Sequence, residues 1–213
     1  MAKKRILCFG DSNTYGYDVN TNGRFEDELR WPGVLATALG NSFTVIEEGL
    51  PGRTTVFDDP LGEGLSGVQY ITPCLMTHNP IDLLVIMLGT NDTKQRFNAT
   101  AKNIADGLSR LTVKAQQTAC WRKKPKILLV APPPITANVA TGIFSEEMGA
   151  GCIEKSRDLA KHFADVARWL HCDFLDAAPF CDMSPRDGMH LTKAAHQSLG
   201  LALAKRIKEM LGE

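Results

Sequence analysis

The residues that nucleophilic acyl chemistry requires are all present: a hydroxyl at Ser12, an imidazole at His190 and a carboxylate three positions before it at Asp187. A serine hydroxyl is a weak nucleophile until a base takes its proton, and the base needs a third group to fix its tautomer. Gly188 lets the short loop between Asp187 and His190 turn, so that the carboxylate can reach one ring nitrogen while the other faces Ser12. Acyl transfer also needs donors aimed at the developing oxyanion, and the backbone N–H groups of Ser12 and Gly52 and the amide of Asn91 qualify. Each residue alone has a plainer reading. Asp11, Ser12 or Asn13 could simply cap a helix, Asp187 and His190 could share a loop hydrogen bond, and Gly52 and Asn91 could be turn residues. Their joint occurrence in four loops, Gly10-Asp11-Ser12, Glu48 to Thr55, Gly89-Thr90-Asn91-Asp92 and Asp187-Gly188-Met189-His190, carries the chemical reading.

Other candidates surround this set. Asp11 and Tyr15, flanking the nucleophile turn, are candidate substrate contacts, and Tyr17 and Trp31 could line an acyl or alcohol pocket. Asp92 reads as a structural residue of its loop, and Asp176 or Asp182 could replace Asp187 beside the base. His78, His162, His171 and His196 fall on or beside helical patterns and read as surface or packing residues. Arg24, Arg30 and Arg53 could orient a substrate or bridge to Asp27, Asp58 or Asp59.

The elements that must position these residues follow from the apolar pattern. Arg5 to Phe9, Phe43 to Glu47, Leu83 to Leu88, Lys126 to Val130 and Asp173 to Leu175 read as strands, most of them continuously apolar, as expected for strands covered on both faces. Helical patterns alternate with them: Trp31 to Leu39, a helix capped by Thr100 with Ile104, Leu108, Leu111 and Ala115 on one face, another with Leu159, Phe163, Val166 and Leu170, and a last one capped by Thr192 with Leu199, Leu203, Ile207 and Met210. Strand–helix alternation selects an α/β fold, a parallel sheet with helices on both faces, and five strands suggest the flavodoxin-like order 2-1-3-4-5. That order puts the loops after the first and third strands in one crevice. Gly49 to Gly67 and Ala131 to Gly151 are long irregular stretches at strand ends, the kind of loop that carries function.

Composition narrows the partners. The chain of 213 residues reads as one domain, 1–213, with 24 Lys+Arg against 24 Asp+Glu, so no net charge is available to hold nucleic acid or an anionic membrane. Met1 to Arg5 is basic, but the apolar run after it ends at Gly10, too soon for a signal peptide, and Leu83 to Leu88 is far short of the ~20 residues that span a bilayer. Six cysteines without a Cys-x-x-Cys pair read as reduced thiols of a cytoplasmic protein rather than a zinc or dithiol motif.

The four blocks, in this order, resemble those of the SGNH (GDSL-type) hydrolase superfamily, with Ser12, Gly52, Asn91 and His190 at the naming positions. Arg30-Trp31, Val45 to Leu50, Arg53-Thr54-Thr55, Ile86 to Lys94 and Pro132-Pro133-Pro134 are similar to its arylesterase/acyltransferase branch. The resemblance implies a three-layer α/β/α sandwich with Ser12 as nucleophile, His190 as base, Asp187 as its orienter, and Ser12, Gly52 and Asn91 as the oxyanion hole. It implies a small-molecule ester as substrate, no metal or other cofactor, acyl transfer to alcohols or peroxide beside hydrolysis, and a homo-oligomer. A carbohydrate or natural-product deacetylase is the alternative within the same chemistry. A non-catalytic flavodoxin-like binding module is the alternative outside it, and no phosphate-cradling glycine motif supports that reading. The chain departs from the resemblance at Asn13, where the superfamily motif carries Leu.

Overall fold

The structure is a computed structural model that describes residues 2–212. Five strands form the main sheet: β1 (Lys4–Gly10), β2 (Phe43–Gly49), β3 (Leu83–Met87), β4 (Ile127–Ala131) and β5 (Asp173–Asp176). All pair in parallel, in the order β2-β1-β3-β4-β5 expected from the sequence.

The continuous apolar runs are explained by two cores, one on each face, because successive strand side chains point to opposite sides. Leu7, Phe9, Leu84, Ile86 and Leu129 face a layer made by α3 (Gly67–Thr77), α4 (Ala101–Gln117) and, after the short α5 (Ser145–Met148), α6 (Cys152–Trp169), meeting Ile71, Leu75, Ile104, Leu108, Leu159 and Phe163. Ile6, Cys8, Leu83, Val85, Met87 and Val130 face α2 (Trp31–Leu39) and α7 (Lys193–Leu211) through Trp31, Leu35, Leu199, Leu203 and Ile207. The result is the three-layer α/β/α sandwich. Thr100 caps α4 in a reciprocal box with Asn103, and Thr192 caps α7 by accepting the Ala195 N–H at 3.1 Å, as their positions predict.

Two elements differ from the expectation. Helix α3 occupies residues that show no clear helical signal, because Pro73 interrupts the run that contains its buried Val68, Ile71, Cys74 and Leu75. A hairpin of two-residue strands, Tyr17–Asp18 and Gly23–Arg24, is inserted between α1 (Ser12–Tyr15) and α2. Register places Gly10 beside Gly49 of β2 and Met87 of β3, so the loops after these three strands leave the sheet together. The chain reverses its direction of filling the sheet at this point, where open α/β sheets form their ligand crevice.

Candidate active site

The turn that carries Ser12 is built by close approach. β1 ends at Gly10, where a Cβ would lie 2.0 Å from Thr14 Oγ1 and 2.8 Å from the Met87 carbonyl, so only glycine lets the chain bend this sharply into α1. The Asp11 carboxylate accepts the Asn13 N–H at 2.9 Å and caps this four-residue helix, whose first residue is Ser12. Arg53 braces the turn from below: its guanidinium donates to the carbonyls of Gly10 and Glu48 and lies 4.2 Å from the centroid of the Phe9 ring.

His190 arrives from the segment that precedes α7. His190 Nε2 lies 3.0 Å from Ser12 Oγ, and His190 Nδ1 lies 2.6 Å from Asp187 Oδ2. The other Asp187 oxygen accepts the N–H groups of Met189 and His190, at 3.1 and 3.2 Å, so one carboxylate fixes both the loop and the ring. Burial opposes the charge of Asp187, but the bond from His190, the imidazole's charge and the two N–H donors outweigh it and hold the carboxyl below its ordinary range. Gly188 takes φ of +69°, and a Cβ there would meet Val139 N and Thr136 Oγ1 at 2.7 Å.

The remaining two loops carry N–H groups that the protein leaves unused. Asn91 is buried at the cavity wall and gives one Nδ2 hydrogen to the Arg53 carbonyl at 3.1 Å, which fixes the amide plane and leaves its second hydrogen unused within the protein. Among the described residues, no protein acceptor takes the N–H of Ser12 or Gly52. Asp92 ties these loops together by accepting from both the N–H and the hydroxyl of Thr55. Its burial, only partly offset by these bonds, raises its carboxyl to about 6.

Ser12, Gly52, Asn91 and His190 open into one cavity of about 620 Å³. Beside His190 its lining is aromatic: the rings of Tyr17 and Phe144 lie 4.6 and 5.3 Å from the imidazole, centroid to centroid. Met148, Met189 and Leu65 add apolar surface. The lining also carries charge. Lys94, itself 2% exposed, pairs with Asp59 at 3.6 Å and Glu147 at 2.6 Å, and Arg96 reaches Asp59 at 3.2 Å.

Comparison with known proteins gives the family. Residues 8–198 match the model of the GDSL-like lipase/acylhydrolase family. The chain belongs to that family. Among solved structures, this GDSL-like hydrolase is similar to the M. smegmatis aryl esterase, at 40% identity over 97% of this chain and 99% of that one, with a TM-score of 0.91. It is also similar to a carbohydrate acetylesterase from Sinorhizobium meliloti, at 36% identity over 98% and 100% of the two chains and a TM-score of 0.91. A carbohydrate acetylesterase family member from the same organism is 39% identical over 99% and 100%, with a TM-score of 0.92. A search of curated proteins finds no match. The α/β/α fold and the esterase class expected from the sequence are those of the family and of these relatives.

The structure of the hydrolase also sorts the secondary candidates. Asp11 and Tyr15 do not line the cavity: Asp11 is 1% exposed and occupied in capping α1, and the Tyr15 ring lies under Arg24, whose Cζ is 4.1 Å from its centroid. The left-handed Gly16 turns the chain after Tyr15, and Tyr17, not Tyr15, faces the cavity. Burial, partly offset by the Asn13 N–H and the charges of His190 and Arg53, raises Asp11 to about 6. Asp176 accepts from the Ala178 N–H, leaving Asp187 as the carboxylate beside His190. Arg24 and Arg30 both pair with Glu47, and Arg30 also with Asp27, so neither reaches the cavity. Trp31 and His196 are buried between α2 and α7. Sequence reasoning missed Asp59, Lys94, Arg96 and Glu147 as cavity residues, although Lys94 directly follows the Asn91-Asp92-Thr93 turn.

One group of potential metal ligands occurs among the described residues. Atoms of Glu48, Cys74 and His78 lie within 4.8 Å of one another, away from the cavity, with His78 Nε2 paired to Glu48 Oε1 at 2.7 Å. No helix among them is long and apolar enough to cross a membrane.

Proposed function

We propose that the protein is a serine esterase acting on small carboxylic esters, aryl or acetyl, through an acyl-enzyme on Ser12. The observation that carries this reading is the continuous Asp187–His190–Ser12 chain of hydrogen bonds, at 2.6 and 3.0 Å, opening into the cavity that also holds Gly52 and Asn91. Ser12 Oγ attacks the ester carbonyl while its proton passes to His190 Nε2. The carbonyl oxygen, now an oxyanion, takes hydrogen bonds from the N–H of Ser12 and Gly52 and from the Asn91 amide. Collapse breaks the ester bond, and His190 returns the proton to the departing alcohol. Water then gives a proton to His190 and attacks the acyl-serine. Its collapse frees the carboxylic acid and reprotonates Ser12. Asp187 holds the imidazole in the tautomer with its proton on Nδ1 and stabilises the imidazolium.

An alcohol or peroxide that occupies the water's place would yield an ester or peracid instead, and product analysis with an acetyl donor plus alcohol reports that branch. A second reading, deacetylation of a carbohydrate or other polyhydroxylated product, is favoured by the charged wall of Asp59, Lys94, Arg96 and Glu147, which offers donors and acceptors to a polar leaving group. All six cysteines are free, which supports a reducing, cytoplasmic setting. Leu61 and Ile143, 79% and 65% exposed, support a homo-oligomer that covers them, and light scattering after size exclusion tests it.

The deciding experiment is p-nitrophenyl acetate turnover by wild type and Ser12→Ala, with the mass of the quenched protein. Turnover by the wild type, its loss in the variant and an acetyl adduct on Ser12 are expected. A Ser12→Ala protein as active as the wild type would overturn the assignment.

A further inference from the structure

The residue after the nucleophile is Asn13, where the Gly-Asp-Ser-Leu motif of the family carries an aliphatic side chain. It is 2% exposed, and its carboxamide is fully engaged with the backbone on either side of the base. Oδ1 accepts the Leu191 N–H at 2.9 Å, and Nδ2 donates to the Met189 carbonyl at 3.1 Å. One planar group thus pairs with the residue before His190 and the residue after it, as a neighbouring strand would.

These two bonds have no substitute. Among the described residues, the hydrogen bonds between residues 10–16 and residues 184–192 are the pair from Asn13 and the Ser12–His190 contact itself. Every other bond that shapes the base's loop is internal or runs elsewhere. The Ser184 N–H donates to the His190 carbonyl at 2.7 Å, Asp187 accepts within its own loop, and the Thr136 N–H donates to the Gly188 carbonyl at 2.8 Å. Those contacts fix the loop's shape and tie it to the segment after β4, but none of them reaches the turn that carries Ser12. The backbone of Asn13 is in turn pinned, since its N–H is held by the capping Asp11 at 2.9 Å.

We propose that Asn13 is a positioning residue that docks the base on the nucleophile's own turn and so sets the distance between His190 Nε2 and Ser12 Oγ. The proposal rests on the assignment of Ser12 and His190 made above. Proton transfer from Ser12 happens only when the two atoms meet at hydrogen-bond range, and the carboxamide holds that range without touching substrate. Removing it leaves a buried carbonyl and a buried N–H unpaired and frees the loop to shift.

The test uses Asn13→Leu, which matches the size and removes both bonds, and Asn13→Asp, which keeps the acceptor for Leu191 but loses the donor to Met189. Each is assayed with p-nitrophenyl acetate well below its melting temperature, beside labelling of the serine by a fluorophosphonate. Both variants should show kcat reduced about 10- to 100-fold with KM within about twofold, and labelling slowed by a similar factor, because misplacement of about 1 Å acts on the reacting geometry and not on binding. A purely structural Asn13 would lower the melting temperature and leave kcat of the folded protein unchanged. A folded variant of either kind with kcat within about threefold of wild type overturns the proposal, and if Asn13→Leu does not fold, Asn13→Asp decides alone. Ser12→Ala separates the two claims. If it is inert while both Asn13 variants are fully active, only the positioning role fails; if it is active, the esterase reading fails first.

Discussion

Replacing His196 tests the electrostatics of the interior. The ring is buried where α2 meets α7, with Nδ1 accepting the Trp31 N–H at 3.2 Å and no partner for Nε2. Burial first, then the charges of His190 and Arg30, lower it from 6.5 to about 3. The folded pKa is the lower one, so below the unfolded value the unfolded chain binds more protons, and stability present above that pH is lost as pH falls. Linkage gives a loss from this residue of about 2 kcal/mol at about pH 5 and about 3 kcal/mol at about pH 4. Asp11 and Asp92 act in the opposite sense. Both are raised from 3.8 to about 6, so each contributes stability below that range that is lost as pH rises through it. Each gains roughly 1.4 kcal/mol between about pH 7 and about pH 5, so the wild type changes little over an interval in which its parts change a great deal. The histidine contribution is isolated by His196→Asn, whose Oδ1 retains an acceptor for the Trp31 N–H. Urea unfolding of both proteins at about pH 7 and about pH 5 should show the variant gaining about 2 kcal/mol on the wild type at the lower pH, whatever its stability at the higher. A relative gain below about 0.5 kcal/mol would refute a neutral, buried His196.

Three further perturbations address the cavity. Asn91→Ala removes one oxyanion donor and should lower kcat about 10²- to 10³-fold with little change in KM, measured by steady-state kinetics. Gly52 sits at φ +83° with Leu65 only 3.2 Å from the position of an added Cβ. Gly52→Ala should therefore cost about 1 to 3 kcal/mol of stability by thermal unfolding and lower kcat as its N–H is displaced. Asp59→Asn removes the carboxylate that buried Lys94 shares with half-buried Arg96, while Lys94 keeps Glu147, and should destabilise the fold by about 1 to 3 kcal/mol, whereas Glu147→Gln, at a half-exposed partner, should cost under about 1 kcal/mol. Equal losses in the two variants would contradict the burial argument.

The sheet was legible because burial on both faces demands continuous apolar runs, and Ile6 to Phe9 and Leu83 to Met87 satisfy that demand without interruption. The four loops were legible because acyl chemistry restricts residue types. What escaped was set by long-range contact. Pro73 masked α3, whose identity depends on packing against the sheet rather than on propensity. The two-residue strands of the hairpin have too few positions to show alternation. Tyr15 and Tyr17 are two residues apart, and only the left-handed Gly16 decides which of them meets the cavity. Lys94 contradicts the expectation that lysine is exposed, because its acidic partners come from loops far away in the chain. Asn13 looked like a departure from a motif, and its meaning lies in backbone atoms 176 and 178 positions away.

Asp187 and His190 occupy a single four-residue segment, and the docking of that segment against the turn after β1 is what brings His190 to Ser12. On the proposed assignment, Ser12, Gly52 and Asn91 emerge during synthesis long before His190, so a nascent chain should be silent toward esters until the segment before α7 has docked, and the onset of turnover would report that docking.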